Sequence, residues 1–210
     1  MFTTSSAVAG GASLVLLACV GAPRSSAAAL DSSALLDKTI APPSYTFEID
    51  VAMAMRSFPW LHFHMSGTGE YLPGQSYVVH FDKLPWFAPR QQHDCDLSML
   101  DPTMWPRRFI YQEIGEEHGE TMFQLHSLTD PTLIGATVTL GPYLHTRHVD
   151  ASYTDGTHID MGVTSINVGG YLLPATVTAQ INEPHIAFSA NADFKDYAFS
   201  VGDVSRSSLP

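Results

Sequence analysis

The chain has 210 residues, of which 45% are hydrophobic and 15% are charged. This composition excludes an intrinsically disordered protein and allows one domain with a substantial core. The formal net charge is -11, from 10 Lys and Arg residues against 21 Asp and Glu residues, and so acidic a surface argues against nucleic acid as a partner.

Residues 1–28 have the pattern of a secretory signal peptide. Their apolar run, residues 7–22, is shorter than the roughly 20 apolar residues that span a bilayer. Inside it, the sequence LLAC ends at Cys19 and is similar to the lipobox of bacterial lipoproteins, in which the cysteine is lipidated. Cleavage near Ala28 is the alternative, since small residues lie there in the spacing that a signal peptidase reads. Either route predicts export, to the periplasm or to the outer membrane as an anchored lipoprotein.

The chain contains two cysteines, Cys19 and Cys95. If Cys19 is lipidated or removed, Cys95 has no intrachain partner, and we expect no disulfide. Two cysteines are also too few for a cysteine-rich zinc site.

The hydrophobic period changes between residues 29 and 55. Residues 29–43 are predicted to form a short helix, over 32–40, and a linker that ends in two prolines. Residues 45–55 then alternate strictly between apolar and less apolar side chains, which is the period of a long half-buried strand.

Two further strands are predicted around residues 61–71 and 77–81, separated by short turns. The stretches SFPW and LPGQ interrupt the alternation, and strands joined by such turns form an antiparallel meander. Pairing of the apolar faces sets the register. It predicts three cross-strand pairs: Ala54 with His62, Ala52 with His64, and Thr68 with His80.

Residues 83–108 have no sustained hydrophobic period. They contain four prolines and two tryptophans, and we expect a long excursion with a helical turn near residues 96–100. An excursion of this length inside a compact β domain is usually functional.

Alternation returns after residue 108, and the pair Asp155-Gly156 is a strong hairpin signal between two of the later strands. About ten short strands with few helices predict a mainly β fold, as one curved antiparallel sheet or a barrel. The later strands are predicted at 109–114, 121–127, 135–140, 145–153, 157–168, 171–181 and 186–194, followed by a frayed tail at 202–210.

His62 and His64 are the first candidates for a metal site, because two strand residues at this spacing share a face and can chelate zinc. Zinc needs at least three protein ligands. The predicted register places His80 too far along the sheet to supply a third, so we interpret the pair as the polar side of a strand.

The sequence HDCD, residues 93–96, is the second candidate cluster. Adjacent residues rarely face one centre, so we expect a polar loop in which Asp94 or Asp96 caps the following turn. His93 and Asp96 are the first suspects if the protein is an enzyme. The sequence contains no G-x-S-x-G, H-E-x-x-H or glycine-rich phosphate loop, and we predict no catalytic residues, no metal and no cofactor.

The apolar sides of the first three strands are predicted to line a ligand groove, because Met and aromatic side chains form adaptable apolar surfaces. The predicted lining residues are Tyr45, Phe47, Ile49, Val51, Met53, Met55, Leu61, Phe63, Met65, Tyr77, Val79 and Phe81. Four residues of the excursion are predicted to cover the groove, as a lid or membrane-touching loop or as a simple plug: Met99, Leu100, Met104 and Trp105.

The order of these motifs resembles the outer-membrane lipoprotein-sorting proteins, the LolA/LolB-like superfamily. The resemblance runs over residues 44–201, from YTFEIDVAMAMRSFPWLHFHMSGTGEY through LDPTMWP, YTDGT and LPATVTAQI to FSANADFKDYAF. It implies a strongly curved antiparallel half-barrel, with a loop or helix lid over an apolar concave face that holds acyl chains. Carriers of this kind use an inward-pointing arginine to latch the lid, whereas the parity of Arg56 places it on the polar face.

We therefore predict an exported envelope protein, not an enzyme, that binds an acyl chain of a lipid or lipoprotein for transport or sensing. The first alternative is a metal-dependent envelope enzyme using His62, His64, His93 or Asp96. The second is a regulatory or scaffold module whose groove binds a segment of an envelope protein partner.

Overall fold

The structure is a computed structural model that describes residues 41–56, 58, 60–82, 84 and 94–200. The predicted signal peptide with Cys19, the N-terminal helix, His93 and the C-terminal tail lie outside the described residues.

Within the described residues, eleven strands form one antiparallel sheet. Most of the predicted strands are present within a few residues of their predicted bounds, because strict alternation is a strong signal. The strands are β1 Tyr45–Met55, β2 His62–Leu72, β3 Ser76–Phe81, β4 Asp94–Asp96, β5 Phe109–Glu117, β6 Glu120–Ser127, β7 Leu133–Leu140, β8 Thr146–Tyr153, β9 His158–Val168, β10 Tyr171–Asn182 and β11 Ala187–Phe199.

The order of strands in the sheet is β4-β3-β2-β1-β11-β10-β9-β8-β7-β6-β5. The first and last strands of the chain are thus neighbours at the interior of the sheet, and Ile49 lies opposite Phe194. In the part of the chain that the structure describes, β4 and β5 are the free edges, so the sheet is an open half-barrel, which confirms the predicted mainly β fold.

The predicted register of the first hairpins is confirmed. Ala54 lies opposite His62 and Ala52 opposite His64, and Thr68 lies opposite His80. The pairing follows from burial, because a slip of one residue would turn every apolar side chain of these strands toward solvent.

The concave face of the sheet carries the core. Along β1, Tyr45, Phe47, Ile49 and Val51 are buried and the residues between them are exposed. Buried residues of the other strands continue this apolar layer around the half-barrel, among them Leu125, Val138 and Val149 at 0% exposure. Burial of this apolar area is the main stabilising term of the fold.

Residues 97–108, named here the crossing segment, connect one free edge of the sheet to the other. They contain 3₁₀ turns at Ser98–Leu100 and Pro102–Met104 and a short α-helix at Trp105–Arg108. The helical turn predicted near residues 96–100 is present as the first of these. The residues before it, Asp94–Asp96, were expected to be a loop, but they pair with β3 as a short edge strand.

The crossing segment is fixed to several strands of the concave face. Thr146 at the start of β8 donates its hydroxyl hydrogen to the Leu100 carbonyl, at 2.8 Å. The Tyr71 hydroxyl on β2 lies 3.2 Å from the Thr103 hydroxyl. Arg108 at the end of the segment pairs with Asp96, at 2.9 Å. The segment therefore ties opposite sides of the open sheet together.

Candidate ligand cavity

A cavity of about 400 Å³ lies at the end of the half-barrel where β1 begins and β9 turns into β10. This volume lies within the range of about 300–1,000 Å³ typical of small-ligand sites. Tyr45 and Tyr77 line it from the first strands, Leu100 and Asp101 from the crossing segment, and Leu173 from β10. The cavity thus lies between the sheet and the segment that covers it.

Alternating residues of β9 form another wall of the cavity. Val163, Ser165 and Asn167 line it. Val163 is buried and Ser165 half-buried, Asn167 is exposed, and Thr164 and Ile166 between them are exposed as well. This is the period-two pattern of a strand with one covered face. The wall ends at the turn between β9 and β10, where Gly169 and Gly170 both have positive φ.

The rim of the cavity includes a backbone conformation that side chains rarely adopt. Tyr143 and Leu144, in the connection between β7 and β8, have φ values of 66° and 58°. Both line the cavity, and the Tyr143 side chain is 85% exposed. Such conformations persist when the surrounding structure fixes them and concentrate at ligand sites.

Tyr77 has a fully buried hydroxyl group beside the cavity. Its side chain is 2% exposed, and among the described residues no group completes a hydrogen bond of good geometry with its hydroxyl oxygen, although the Tyr45 hydroxyl lies close enough to interact with it. Tyr45 is its neighbour, with ring centroids 6.3 Å apart in a T-shaped contact. Burial raises the pKa of both phenols, so both are neutral at physiological pH.

Asp101 is the acidic group of the cavity. Its carboxylate accepts hydrogen bonds from the Thr103 amide, at 2.9 Å, and from the Thr103 hydroxyl, at 2.7 Å. Burial nevertheless raises the pKa of the Asp101 carboxyl above its ordinary value, since removal from water disfavours the charged form. Burial likewise lowers the pKa of His145, on the opposite rim. No Lys or Arg is present among the described residues that line the cavity.

Some of the lining residues that the sequence predicts border a cavity, and the others lie in or around the core. Tyr45, Tyr77 and Leu100 line the large cavity, and Met53 lines a smaller one of about 180 Å³. The others lie on or around the concave face away from these cavities, so their contact with a ligand remains a prediction. Phe47, Ile49, Val51 and Val79 are fully buried there, whereas Met55, Leu61, Phe63, Met65 and Phe81 are half-buried.

The predicted covering residues of the crossing segment pack as a plug. Trp105 is 0% exposed, its indole N–H donates to the Met99 carbonyl at 3.1 Å, and its ring contacts Tyr111 and Phe123. Met104 is buried beside it at 2% exposure. Trp105 therefore contributes to the core between the two sides of the half-barrel.

The sequence-predicted metal candidates do not converge in the part of the chain that the structure describes. His62 and His64 are exposed on the outer face of β2, and the described residues contain no group of three or more potential metal ligands. Asp96 accepts the Ser98 amide hydrogen at 2.8 Å, so it bonds to the first residue of the following turn, although the N-cap position itself is Leu97. Asp94 lies 2.7 Å from His80, and Cys95 is exposed.

Arg56 lies on the polar side of the sheet, as its parity predicts. Its side chain is exposed and donates to the Asn182 side-chain oxygen, at 3.4 Å. It therefore does not point into the concave face.

Most residues of the cavity walls were not predicted from the sequence. Asp101 had no signal beyond its place in a proline-rich excursion. The rim at 143–146 depends on backbone conformations that the sequence does not reveal. The alternation in β9 gave the only usable signal, since it places Val163, Ser165 and Asn167 on one face.

Substitution of Tyr77 by phenylalanine is expected to stabilise the protein without ligand. An unsatisfied buried hydroxyl costs about 1–3 kcal/mol, and phenylalanine removes it while keeping the ring. Urea denaturation should show a higher midpoint for Tyr77→Phe. Tyr197→Phe is the matched control: the Tyr197 hydroxyl donates to the Pro174 carbonyl, so its loss should lower the midpoint. A lower midpoint for Tyr77→Phe as well would show that the Tyr77 hydroxyl has a partner.

The geometry defines an open antiparallel half-barrel with a cavity under a crossing segment, lined by both apolar and polar side chains. Solved structures with this architecture include a LolA superfamily protein from Nitrosomonas europaea, with a TM-score of 0.57 and 10% identity, covering 85% of this chain and 94% of that chain. A DUF1329 family protein from Desulfovibrio piger has a TM-score of 0.56 and 10% identity, covering 82% and 92% respectively. A third, from Vibrio parahaemolyticus, is described as an outer membrane lipoprotein-sorting protein domain, with a TM-score of 0.55 and 10% identity, covering 81% and 91%.

The chain has the LolA-like fold, and the resemblance found in the sequence is confirmed as a likeness of fold. No protein-family model and no curated protein matches the sequence. Helices long and apolar enough to cross a membrane are absent from the described residues.

Proposed function

We propose that the protein binds a single acyl chain in the cavity between the half-barrel and the crossing segment, and that it transports or senses a lipid or lipoprotein at the cell envelope. The cavity of about 400 Å³ beside the apolar concave face is the observation that carries this proposal. Each buried CH₂ of an acyl chain contributes about 0.8 kcal/mol. The apolar part of the lining, which includes Leu100, Val163 and Leu173, therefore favours binding of an acyl chain, and no catalytic geometry is required.

The proposed place of action is the periplasm or the outer membrane. The apolar run of residues 7–22 supports export, and Cys19 in LLAC supports an anchored lipoprotein. The lipoprotein-sorting neighbour from Vibrio parahaemolyticus agrees with an envelope role. We propose a domain boundary near residue 44, since β1 begins at Tyr45.

The outward position of Arg56 favours a lipid-binding or sensing role over lipoprotein delivery. In the lipoprotein-sorting carriers that the sequence resembles, an inward-pointing arginine latches the lid. Here Arg56 contacts Asn182 on the polar side. The crossing segment is instead fastened to the sheet by the hydrogen bond from Thr146, by the contact of Thr103 with Tyr71, and by the packing of Trp105 on strands β5 and β6. The proposed function accordingly does not depend on a lid that opens through an arginine latch.

Filling the cavity from one wall tests the proposed function. N-phenyl-1-naphthylamine, an uncharged apolar fluorophore, should bind the purified protein with increased emission. Ser165→Trp places a large side chain on the cavity face of β9 and should weaken this binding at least tenfold. Native mass spectrometry of protein purified from bacterial membranes should show a lipid-sized adduct that detergent removes and that Ser165→Trp lacks.

Ile166→Trp is the matched control, because it places the same side chain on the other face of the same strand, where Ile166 is 49% exposed. Its fluorophore affinity should equal that of the wild type. Equal affinities for all three proteins would contradict binding in this cavity. A zinc-sized adduct that a chelator removes would favour a metal-dependent enzyme, and a co-purified polypeptide would favour a scaffold module.

A further inference from the structure

We infer that the cavity selects an acyl ester whose head group is uncharged and carries hydroxyl groups, a monoacylglycerol-type ligand, and that Asp101 binds this head group. The inference rests on the proposed function, because it identifies the ligand of the same cavity. It adds a site for the head group and a discrimination against anionic amphiphiles, including free fatty acids.

The charge of the cavity lining argues against an anionic head group. Asp101 provides the one carboxylate among the described lining residues, and neither Lys nor Arg accompanies it there. A second negative charge within about 4–6 Å of a half-buried carboxylate is repelled more strongly than in bulk water, because the local dielectric constant is lower. A carboxylate or phosphate head would therefore bind more weakly than a neutral one of similar size.

Asp101 has acceptor capacity left for a ligand. An ionised carboxylate offers about four lone-pair positions. The Thr103 amide and hydroxyl take two of them, and the Tyr71 hydroxyl lies close enough to interact as well. At least one position remains, and because Asp101 lines the cavity, a hydroxyl group of a glycerol head bound there can donate a hydrogen bond to the carboxylate.

Competition between two amphiphiles with the same chain tests the inference. N-phenyl-1-naphthylamine bound to the full protein is displaced at pH 8 by 1-monooleoylglycerol or by oleate, each below its aggregation limit. We expect the monoacylglycerol to bind at least tenfold more tightly than oleate. Asp101→Asn should improve oleate binding and bring the two affinities within about threefold.

Asp193→Asn controls for the overall acidity of the protein, because Asp193 is an exposed carboxylate on β11. It should leave the oleate affinity unchanged, and circular dichroism should show that every variant is folded. Equal affinities for monoacylglycerol and oleate in the wild type would overturn the head-group selection while the acyl-binding function stands. An equal gain for oleate in Asp193→Asn would also overturn it. If neither amphiphile displaces the fluorophore and Ser165→Trp has no effect on it, the proposed function itself fails.

Discussion

Replacing Trp105 by alanine is expected to lower the free energy of unfolding by about 3–5 kcal/mol. The side chain is 0% exposed and packs between the rings of Tyr111 and Phe123. Alanine removes these contacts and leaves a cavity that rigid strands on both sides cannot fill. It also removes the indole donor of the Met99 carbonyl, at 3.1 Å. Urea denaturation followed by far-ultraviolet circular dichroism measures the loss.

Trp60→Ala is the matched control for this prediction. Trp60 is 74% exposed and contacts Phe58, itself 49% exposed, at a ring distance of 6.0 Å. The same substitution there should change stability by less than about 0.5 kcal/mol, as for other surface positions. A loss below about 1 kcal/mol for Trp105→Ala would contradict its place as the plug of the half-barrel. Such a result would favour the alternative that the sequence also allows, in which Trp105 belongs to a lid or membrane-touching loop.

The strands and their local pairing were predictable from the sequence for a physical reason. A strand with one covered face must alternate, and a register slip of one residue would expose all of its apolar side chains. Pairing of the apolar faces therefore predicts Ala54 opposite His62 and Thr68 opposite His80, as observed. Tight turns also have local signals, and Asp155-Gly156 lies in the connection between β8 and β9, with Gly156 at φ 87°.

The cavity was not predictable, because it is a product of long-range geometry. Pairing of β1 with β11 joins residues about as far apart in the chain as the domain permits, and no local pattern specifies it. The features of the cavity depend on such long-range pairing. Examples are the hydrogen bond from Thr146 to the Leu100 carbonyl and the burial of the Tyr77 hydroxyl. Alternation alone therefore identified the concave face correctly but could not say which part of it is open to a ligand.

Substitution of Gly69 by alanine is expected to destabilise the protein by about 1–3 kcal/mol or more. Gly69 on β2 lies directly opposite Phe47 on β1, and a methyl group there would lie 1.9 Å from the Phe47 ring. Phe47 is 2% exposed and stacks on Phe194, with ring centroids 5.4 Å apart. It cannot move aside without disturbing the core, so the absence of a side chain at Gly69 is what allows the ring to lie over the sheet.

A double-mutant cycle identifies the cause of this destabilisation. Phe47→Ala alone should cost about 3–5 kcal/mol. The double variant should cost less than the sum of the single variants, by about 0.5–3 kcal/mol, because the clash needs both groups. Gly115→Ala is the control, since a methyl group there would meet Met122 at 3.5 Å, an ordinary contact, and should change stability by less than about 0.5 kcal/mol. Additive effects in the cycle would show that Gly69→Ala acts through the backbone of β2, and the packing of Phe47 over Gly69 would then not be the constraint that fixes this position.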